Sequence, residues 1–142
     1  MEEFLTFAGN NPVLSAVWVA LVVMIIVTTI KMKMSPIKQI SPQELTFLVN
    51  REEGVTLDIR AEKEFKTSHI LDAVNLSNEK IGQNGFSSLE KCKDKPIIVV
   101  CTAGISAAKV ANDLFKAGFE KVSILKGGMN AWINAGLPVS KN

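Results

Sequence analysis

The residue best suited to chemistry is Cys101, which lies between an apolar run at 96–100 and a helix-patterned segment that begins at Ser106. In a parallel α/β sheet, this end of a strand is where ligands bind. Backbone N–H groups of a tight turn and of the helix N-terminus would point at the sulfur, and such donors favour the nucleophilic thiolate. Gly104 suits a turn that curls around the thiol. Position alone leaves two interpretations open: a reactive thiol, or a buried cysteine that fills space at a strand end.

The second cysteine, Cys92, lies in a polar stretch between Lys91 and Lys93 and is expected to be exposed. The strand predicted at 96–100 would hold the two cysteines roughly 17 Å or more apart, at about 3.3 Å per residue, which is too far for a disulfide. We therefore expect two free thiols, which fits a reducing compartment.

Strands and helices alternate through the part of the chain that must position Cys101. Apolar and alternating runs predict strands at 55–59, 73–76, 96–100 and 121–125. The run at 96–100 is apolar on both faces, as a central parallel strand requires. Composition and helical spacing predict helices from Pro42 to about Arg51 and at 61–67, 86–91, 106–116 and 127–133. This alternation predicts an α/β fold, a parallel sheet flanked by helices.

Local signals refine two of these segments. Ser41 and Glu44 form the pattern of a capping box, with Pro42 at the first helical position. The stretch 78–95 is polar and is interrupted by Gly82 and Gly85. Within that stretch we expect a short helix at about 86–91.

An uncharged segment at 13–30 precedes this domain. As a helix rising about 1.5 Å per residue it would be about 27 Å long, close to the hydrocarbon thickness of a bilayer. A cleaved signal peptide would need a basic start, where the chain has Glu2 and Glu3, and a core helix would carry a polar face. The segment is therefore predicted to be an uncleaved transmembrane helix.

Lysines indicate the orientation of this helix. Lys31, Lys33 and Lys38 follow the apolar segment, and no basic residue precedes it. By the positive-inside tendency, the N-terminus lies outside and the domain lies in the cytoplasm. The predicted organisation is a short extracytoplasmic segment at 1–12, a transmembrane helix at 13–30, a basic juxtamembrane linker at 31–39 and an α/β domain at 40–140.

Charge argues against one class of partner. The net charge of the chain is +2, and its 16 basic residues all lie beyond residue 30. A positive charge this mild and dispersed does not support nucleic-acid binding, whereas a basic face toward anionic lipid is compatible with it.

Several separate segments resemble the signatures of rhodaneses. The segment 101–107, Cys-Thr-Ala-Gly-Ile-Ser-Ala, resembles their active-site loop, a cysteine followed by five residues that encircle it. Asp58-Ile-Arg60, Glu64-Phe65, His69-Ile70 and 73–76 resemble the first family signature, and 125–132 with 136–139 resembles the closing one. The resemblance covers about residues 38–140. With the apolar segment at 13–30, the chain is similar to small bacterial rhodaneses anchored in the cytoplasmic (inner) membrane.

The resemblance implies a sulfurtransferase or persulfide carrier with Cys101 as the catalytic residue. Its thiolate would take a sulfur atom from thiosulfate, mercaptopyruvate or a persulfide and pass it to a thiol acceptor, with no metal or bound organic cofactor. Backbone N–H groups of the loop would stabilise the charge on the sulfur; they belong to Thr102, Ala103, Gly104, Ile105, Ser106 and Ala107. The alternative is a docking module at the membrane with little or no catalysis. The oligomeric state is left open.

One departure from the rhodanese pattern concerns charge. Ser106 stands where many single-domain members have an arginine, which argues against efficient use of thiosulfate. A hydroxyl residue there resembles the loops of mercaptopyruvate-using members. Arg60 is a candidate for the missing positive charge, and Asp58 either orients the loop or pairs with Arg60 or a backbone amide, the pairing being favoured. A cysteine phosphatase or arsenate reductase is excluded because Ala107 stands where those enzymes need an arginine.

A second departure lies beside the single histidine. Ser68 stands where the family usually has glycine, and serine would be strained there if the backbone required a positive φ. His69 itself is expected to tie loops together by hydrogen bonds, because persulfide chemistry does not require a general base.

Overall fold

The computed structural model describes residues 1–33 and 37–141 and divides into two compact units, Met1–Pro36 and Ile37–Asn142. Part of the predicted linker at 31–39 lies outside the described residues, namely positions 34–36 and the side chains of 31–33.

The first unit consists of two helices, α1 (Glu2–Asn10) and α2 (Pro12–Lys33). Asn11 separates them, and its main-chain carbonyl accepts a hydrogen bond of 2.9 Å from the Ser15 hydroxyl. Within α2, the stretch Pro12–Ile30 is long and apolar enough to cross a membrane. The helix predicted at 13–30 is present, whereas α1 was not predicted.

The second unit is built on a sheet of five parallel strands in the order β1-β5-β4-β2-β3. The strands are β1 (Lys38–Ile40), β2 (Val55–Asp58), β3 (Val74–Asn75), β4 (Ile97–Val100) and β5 (Val122–Leu125). This confirms the predicted parallel α/β fold. The strand β1 was not predicted, because three residues are too few to show a periodicity. It forms by pairing with β5 at the sheet edge.

Five α-helices and one 3₁₀-helix cover the sheet: α3 (Pro42–Glu52), α4 (Glu62–Thr67), α5 (Asn78–Asn84), the 3₁₀-helix Ser87–Cys92, α6 (Ala107–Lys116) and α7 (Gly128–Asn134). The short helix predicted at 86–91 is present as the 3₁₀-helix, one residue further along the chain, whereas α5 was not predicted. Ser77 caps α5 by accepting a hydrogen bond from the Lys80 amide, and the helix continues through Gly82. Glycine costs only about 1 kcal/mol in a helix, which the rest of the fold outweighs.

The capping box at the start of α3 is present in full. The Ser41 amide donates to the Glu44 carboxylate at 2.7 Å, and the Glu44 amide donates to the Ser41 hydroxyl at 3.2 Å. These bonds satisfy amides that have no partner inside the helix. They set the start of α3 directly after β1.

The sheet separates two apolar cores. Along β4, Ile97 and Val99 pack into one core, while Ile98 and Val100 pack into the other. All four side chains are buried, as predicted for a central parallel strand. The chain leaves β4 at Cys101, which places this residue at the carboxyl edge of the sheet.

Candidate functional site

Cys101 is a buried thiol held by the backbone of the loop that follows it. Its exposed fraction is 3%, and the amide of Gly104 donates a hydrogen bond to its Sγ at 2.9 Å. Among the loop amides, that of Gly104 is the one that bonds the sulfur in this structure. An N–H donor aimed at a sulfur can stabilise negative charge that develops on it.

Gly104 is required by the path of the loop. Its φ is +86°, a backbone conformation that side chains disfavour. A Cβ at this position would lie 3.0 Å from the Gly127 amide nitrogen and 3.3 Å from the Leu125 carbonyl oxygen. The loop therefore runs directly against the segment that joins β5 to α7.

The start of α7 fixes the first two residues of the loop. The Met129 amide donates to the Cys101 carbonyl at 2.8 Å, and the Asn130 amide donates to the Thr102 carbonyl at 3.1 Å. A Cβ on Gly128 would lie 2.2 Å from that Cys101 carbonyl oxygen. Sequence reasoning missed this clamp, although two consecutive glycines before a helix were a signal for close backbone approach.

Asp58 and Arg60 form a buried ion pair at the end of the neighbouring strand. Their side chains are 1% and 8% exposed, and the closest approach is 2.7 Å between Arg60 Nη2 and Asp58 Oδ2. Asp58 also accepts a hydrogen bond from the Arg60 amide at 3.0 Å. Since the Ile59 amide donates to the Val100 carbonyl at 3.0 Å, this pair lies beside the strand that leads to Cys101.

The Arg60 guanidinium has a second partner, the Ser68 carbonyl, at 2.6 Å from Nη2. The geometry agrees with the favoured interpretation of Asp58, pairing with Arg60 and a backbone amide. The Arg60 guanidinium is thus paired with the end of β2 and with the turn after α4. It is not a free cation, as it would have to be to supply the positive charge that an arginine at position 106 would carry.

Replacing Asp58 with alanine is expected to lower the free energy of unfolding by about 3 kcal/mol, because the buried guanidinium of Arg60 loses its partner. Combining Asp58→Ala with Arg60→Met removes the uncompensated charge and should recover more than half of that loss. Urea unfolding followed by circular dichroism measures both values. A double variant no more stable than Asp58→Ala alone would contradict the pairing role.

His69 ties together two parts of the domain. Its Nδ1 is 2.8 Å from the Phe65 carbonyl oxygen, and its ring stacks on the Phe65 ring with centroids 3.9 Å apart. Its backbone pairs with Ser140 through hydrogen bonds of 2.9 and 2.7 Å. These contacts fit the expected structural role. Ser68 has a φ of −165°, an extended backbone that any residue adopts, so the strain considered for it is absent.

Charge is scarce at the loop and more abundant on the surface at the edge of the sheet. The segment 101–107 contains no charged residue. Glu62 pairs with Lys66 at 2.9 Å and with Lys80 at 3.8 Å, and the hydrogen bond from Lys66 lowers the pKa of the Glu62 carboxyl.

Among residues 1–33 and 37–141, no three His, Cys, Asp or Glu side chains are grouped to hold a metal ion.

Comparison with known proteins assigns this arrangement to a family. Residues 41–135 match the family model of the rhodanese-like domain. The chain is 42% identical over 139 residues to the uncharacterized protein YibN of Escherichia coli strain K12, covering 98% of this chain and 97% of that protein. It is 36% identical over 101 residues to the thiosulfate sulfurtransferase GlpE of Actinobacillus pleuropneumoniae serotype 3, covering 71% of this chain and 91% of that protein.

A solved structure agrees with this match. The solution structure of a rhodanese-like domain from an Anabaena protein superposes with a TM-score of 0.64 at 31% sequence identity. The match covers 77% of this chain and 81% of that domain.

Proposed function

Because this chain belongs to the rhodanese-like domain family, we propose that it is a membrane-anchored sulfurtransferase or persulfide carrier that moves sulfane sulfur through Cys101. The observation that carries the proposal is the hydrogen bond of 2.9 Å from the Gly104 amide to the Cys101 sulfur. A cysteine that merely filled space in the core would not need a backbone donor aimed at its Sγ. Sulfurtransferase activity also appears in the name of the relative GlpE.

The first step loads sulfur onto the enzyme. The Cys101 thiolate attacks the outer sulfur of a donor, a new S–S bond forms, and the donor's own bond to that sulfur breaks with its electron pair on the leaving group. With thiosulfate the leaving group is sulfite. Cys101 becomes a persulfide anion, and its negative charge moves to the terminal sulfur.

The second step returns the free thiolate. The thiolate of an acceptor attacks the terminal sulfur, the S–S bond to Cys101 breaks, and the electron pair returns to Sγ. The acceptor leaves as a persulfide. Gly104 donates to Sγ, and the amides of Thr102, Ala103, Ile105, Ser106 and Ala107 are proposed to bond the terminal sulfur once it is present. These amides can bond the terminal sulfur without a movement of α7, because Met129 and Asn130 donate to carbonyl groups of the loop and not to its amides.

Mass spectrometry tests this chemistry directly. The full-length chain, purified in detergent, is incubated with thiosulfate, mercaptopyruvate or glutathione persulfide. We expect an adduct of about 32 Da, the mass of one sulfur atom, on the peptide that contains Cys101. Absence of the adduct with every donor would favour the alternative, a docking module of the same fold. The observation on the side of that alternative is Ser106, which leaves the loop without a cation.

The membrane part of the proposal rests on α2. Its stretch Pro12–Ile30 is apolar and long enough to span the bilayer, and lysines follow it at positions 31 and 33. We propose a single-pass protein of the bacterial inner membrane with its N-terminus outside and its rhodanese-like domain in the cytoplasm. The free thiols Cys92 and Cys101 are compatible with that reducing compartment.

Replacing Leu21 with arginine tests the anchor. A charge near the middle of a spanning helix costs about 3 kcal/mol on insertion, so a large share of the variant should leave the membrane on extraction with alkaline carbonate. The control Leu21→Phe keeps the helix apolar and should stay in the membrane pellet. Equal retention of both variants would argue against a transmembrane α2.

A further inference from the structure

The active-site loop presents an apolar side chain to solvent. Ile105 is 84% exposed, more than any other large hydrophobic residue within 37–141. The next most exposed in that range are Leu71 at 63% and Phe47 at 57%. An isolated exposed isoleucine on an ordinary surface loop needs no explanation. This one lies four residues after Cys101.

The backbone on either side of Ile105 is held in place. Gly104 bonds the sulfur at 2.9 Å, adopts a φ of +86° and packs against the Gly127 amide. Two residues after Ile105, the side chain of Ala107 is fully buried at the start of α6. Ile105 is therefore a fixed apolar projection, one residue from the amide that holds the reacting atom.

The same loop offers no charge to a small anion. Arg60, the cation at the end of the neighbouring strand, is engaged by Asp58 and by the Ser68 carbonyl. The lysines nearest to the loop and its clamp in sequence, Lys109 and Lys126, are exposed residues. Water and salt weaken the attraction that exposed ammonium groups exert on an anion.

We propose that Ile105 is a specificity-determining residue, which contacts an apolar organic group attached to the sulfane sulfur of the donor. The inference rests on the proposed function and names the class of donor for the same site. A donor with an apolar group removes the exposed side chain of Ile105 from water as it approaches Cys101, which lowers the free energy of the bound state. Inorganic thiosulfate has no such group.

A series of thiosulfonates isolates this contact. In each, the Cys101 thiolate attacks the outer sulfur of R–SO₂–S⁻, a persulfide forms, and the S–S bond breaks with its electron pair on the sulfinate R–SO₂⁻. Methanethiosulfonate and benzenethiosulfonate differ only in R, a methyl group in one and a larger apolar phenyl ring in the other. Thiosulfate undergoes the same reaction with sulfite as the leaving group. Reaction of each donor with glutathione gives its intrinsic reactivity.

The experiment measures the rate constant for sulfur loading of Cys101 in the full-length chain by intact mass, divided by that for glutathione. We expect a larger normalised rate for benzenethiosulfonate than for methanethiosulfonate or thiosulfate. Ile105→Ser should reduce the ratio of the benzene to the methane donor roughly fivefold, because the apolar contact is lost. Ile105→Leu should preserve the ratio. Ile133→Ser, which alters another exposed isoleucine, should leave it unchanged.

The outcomes separate two failures. Loading from all donors with a ratio that Ile105→Ser does not alter would overturn the role of Ile105 and leave the proposed function standing. A normalised preference for thiosulfate would also overturn it, in favour of a site that attracts anions through Lys109 or Lys126. No loading of Cys101 from any donor would remove the proposed function as well.

Discussion

Replacing Cys101 with serine is expected to abolish sulfur loading, with a fall of at least about 1,000-fold in the rate of adduct formation. The serine hydroxyl is not ionised at neutral pH, so no thiolate is present to attack the donor. The fold should survive, because oxygen is smaller than sulfur and the Gly104 amide retains an acceptor at this position. Intact-mass spectra of the donor-treated variant and circular dichroism measure the two effects separately.

The natural control is the other thiol of the chain. Cys92 is partly exposed at the end of the 3₁₀-helix. It lies at the edge of the sheet opposite to the loop, because it precedes β4 whereas Cys101 follows it. Cys92→Ser should therefore load sulfur at the wild-type rate. If Cys101→Ser kept the adduct and Cys92→Ser lost it, the site would be misassigned, although the family membership would stand.

Replacing Gly128 with alanine is expected to lower the free energy of unfolding by about 4 kcal/mol, with about 1 from the unfavourable φ and roughly 3 from steric overlap. The φ of Gly128 is +59°, and an added Cβ would lie 2.2 Å from the Cys101 carbonyl oxygen and 2.8 Å from the Thr102 carbonyl carbon. Because these are backbone atoms, no side-chain rotation can relieve the overlap. The loop or α7 must move, and both are fixed by the bonds that Met129 and Asn130 donate.

Displacement of the loop should also impair the chemistry. The variant is expected to load sulfur on Cys101 at least about tenfold more slowly even where it remains folded, because small misplacements of reacting groups have large effects on rates. Urea unfolding and the mass-spectrometric rate give the two readouts.

A matched substitution separates the overlap from the backbone conformation. Gly136 has a φ of +69°, and an added Cβ there would meet nothing within 4 Å. Gly136→Ala should therefore cost only about 1 kcal/mol and leave sulfur loading unchanged. Equal losses in the two variants would show that the contact between α7 and the loop does not hold the loop in place.

The elements that local pattern specifies were recoverable from the chain alone. The strand β4 is apolar on both faces over successive residues, and a capping box marks the start of α3. The stretch Pro12–Ile30 of helix α2 contains no charged residue and is long enough to span a bilayer. The short or polar elements were missed: β1 exists through its pairing with β5, and α5 contains a glycine and shows no apolar stripe.

The sequence by itself determined the fold class, the position of Cys101 at the end of a central strand and the absence of charge in the loop after it. These properties follow from residue types and their spacing along one segment. The tertiary structure alone decided that Gly104 donates to the sulfur, that α7 clamps the loop through Gly128, and that Arg60 is already paired with Asp58. Each of those contacts depends on backbone geometry or joins different elements, and a linear pattern does not specify either.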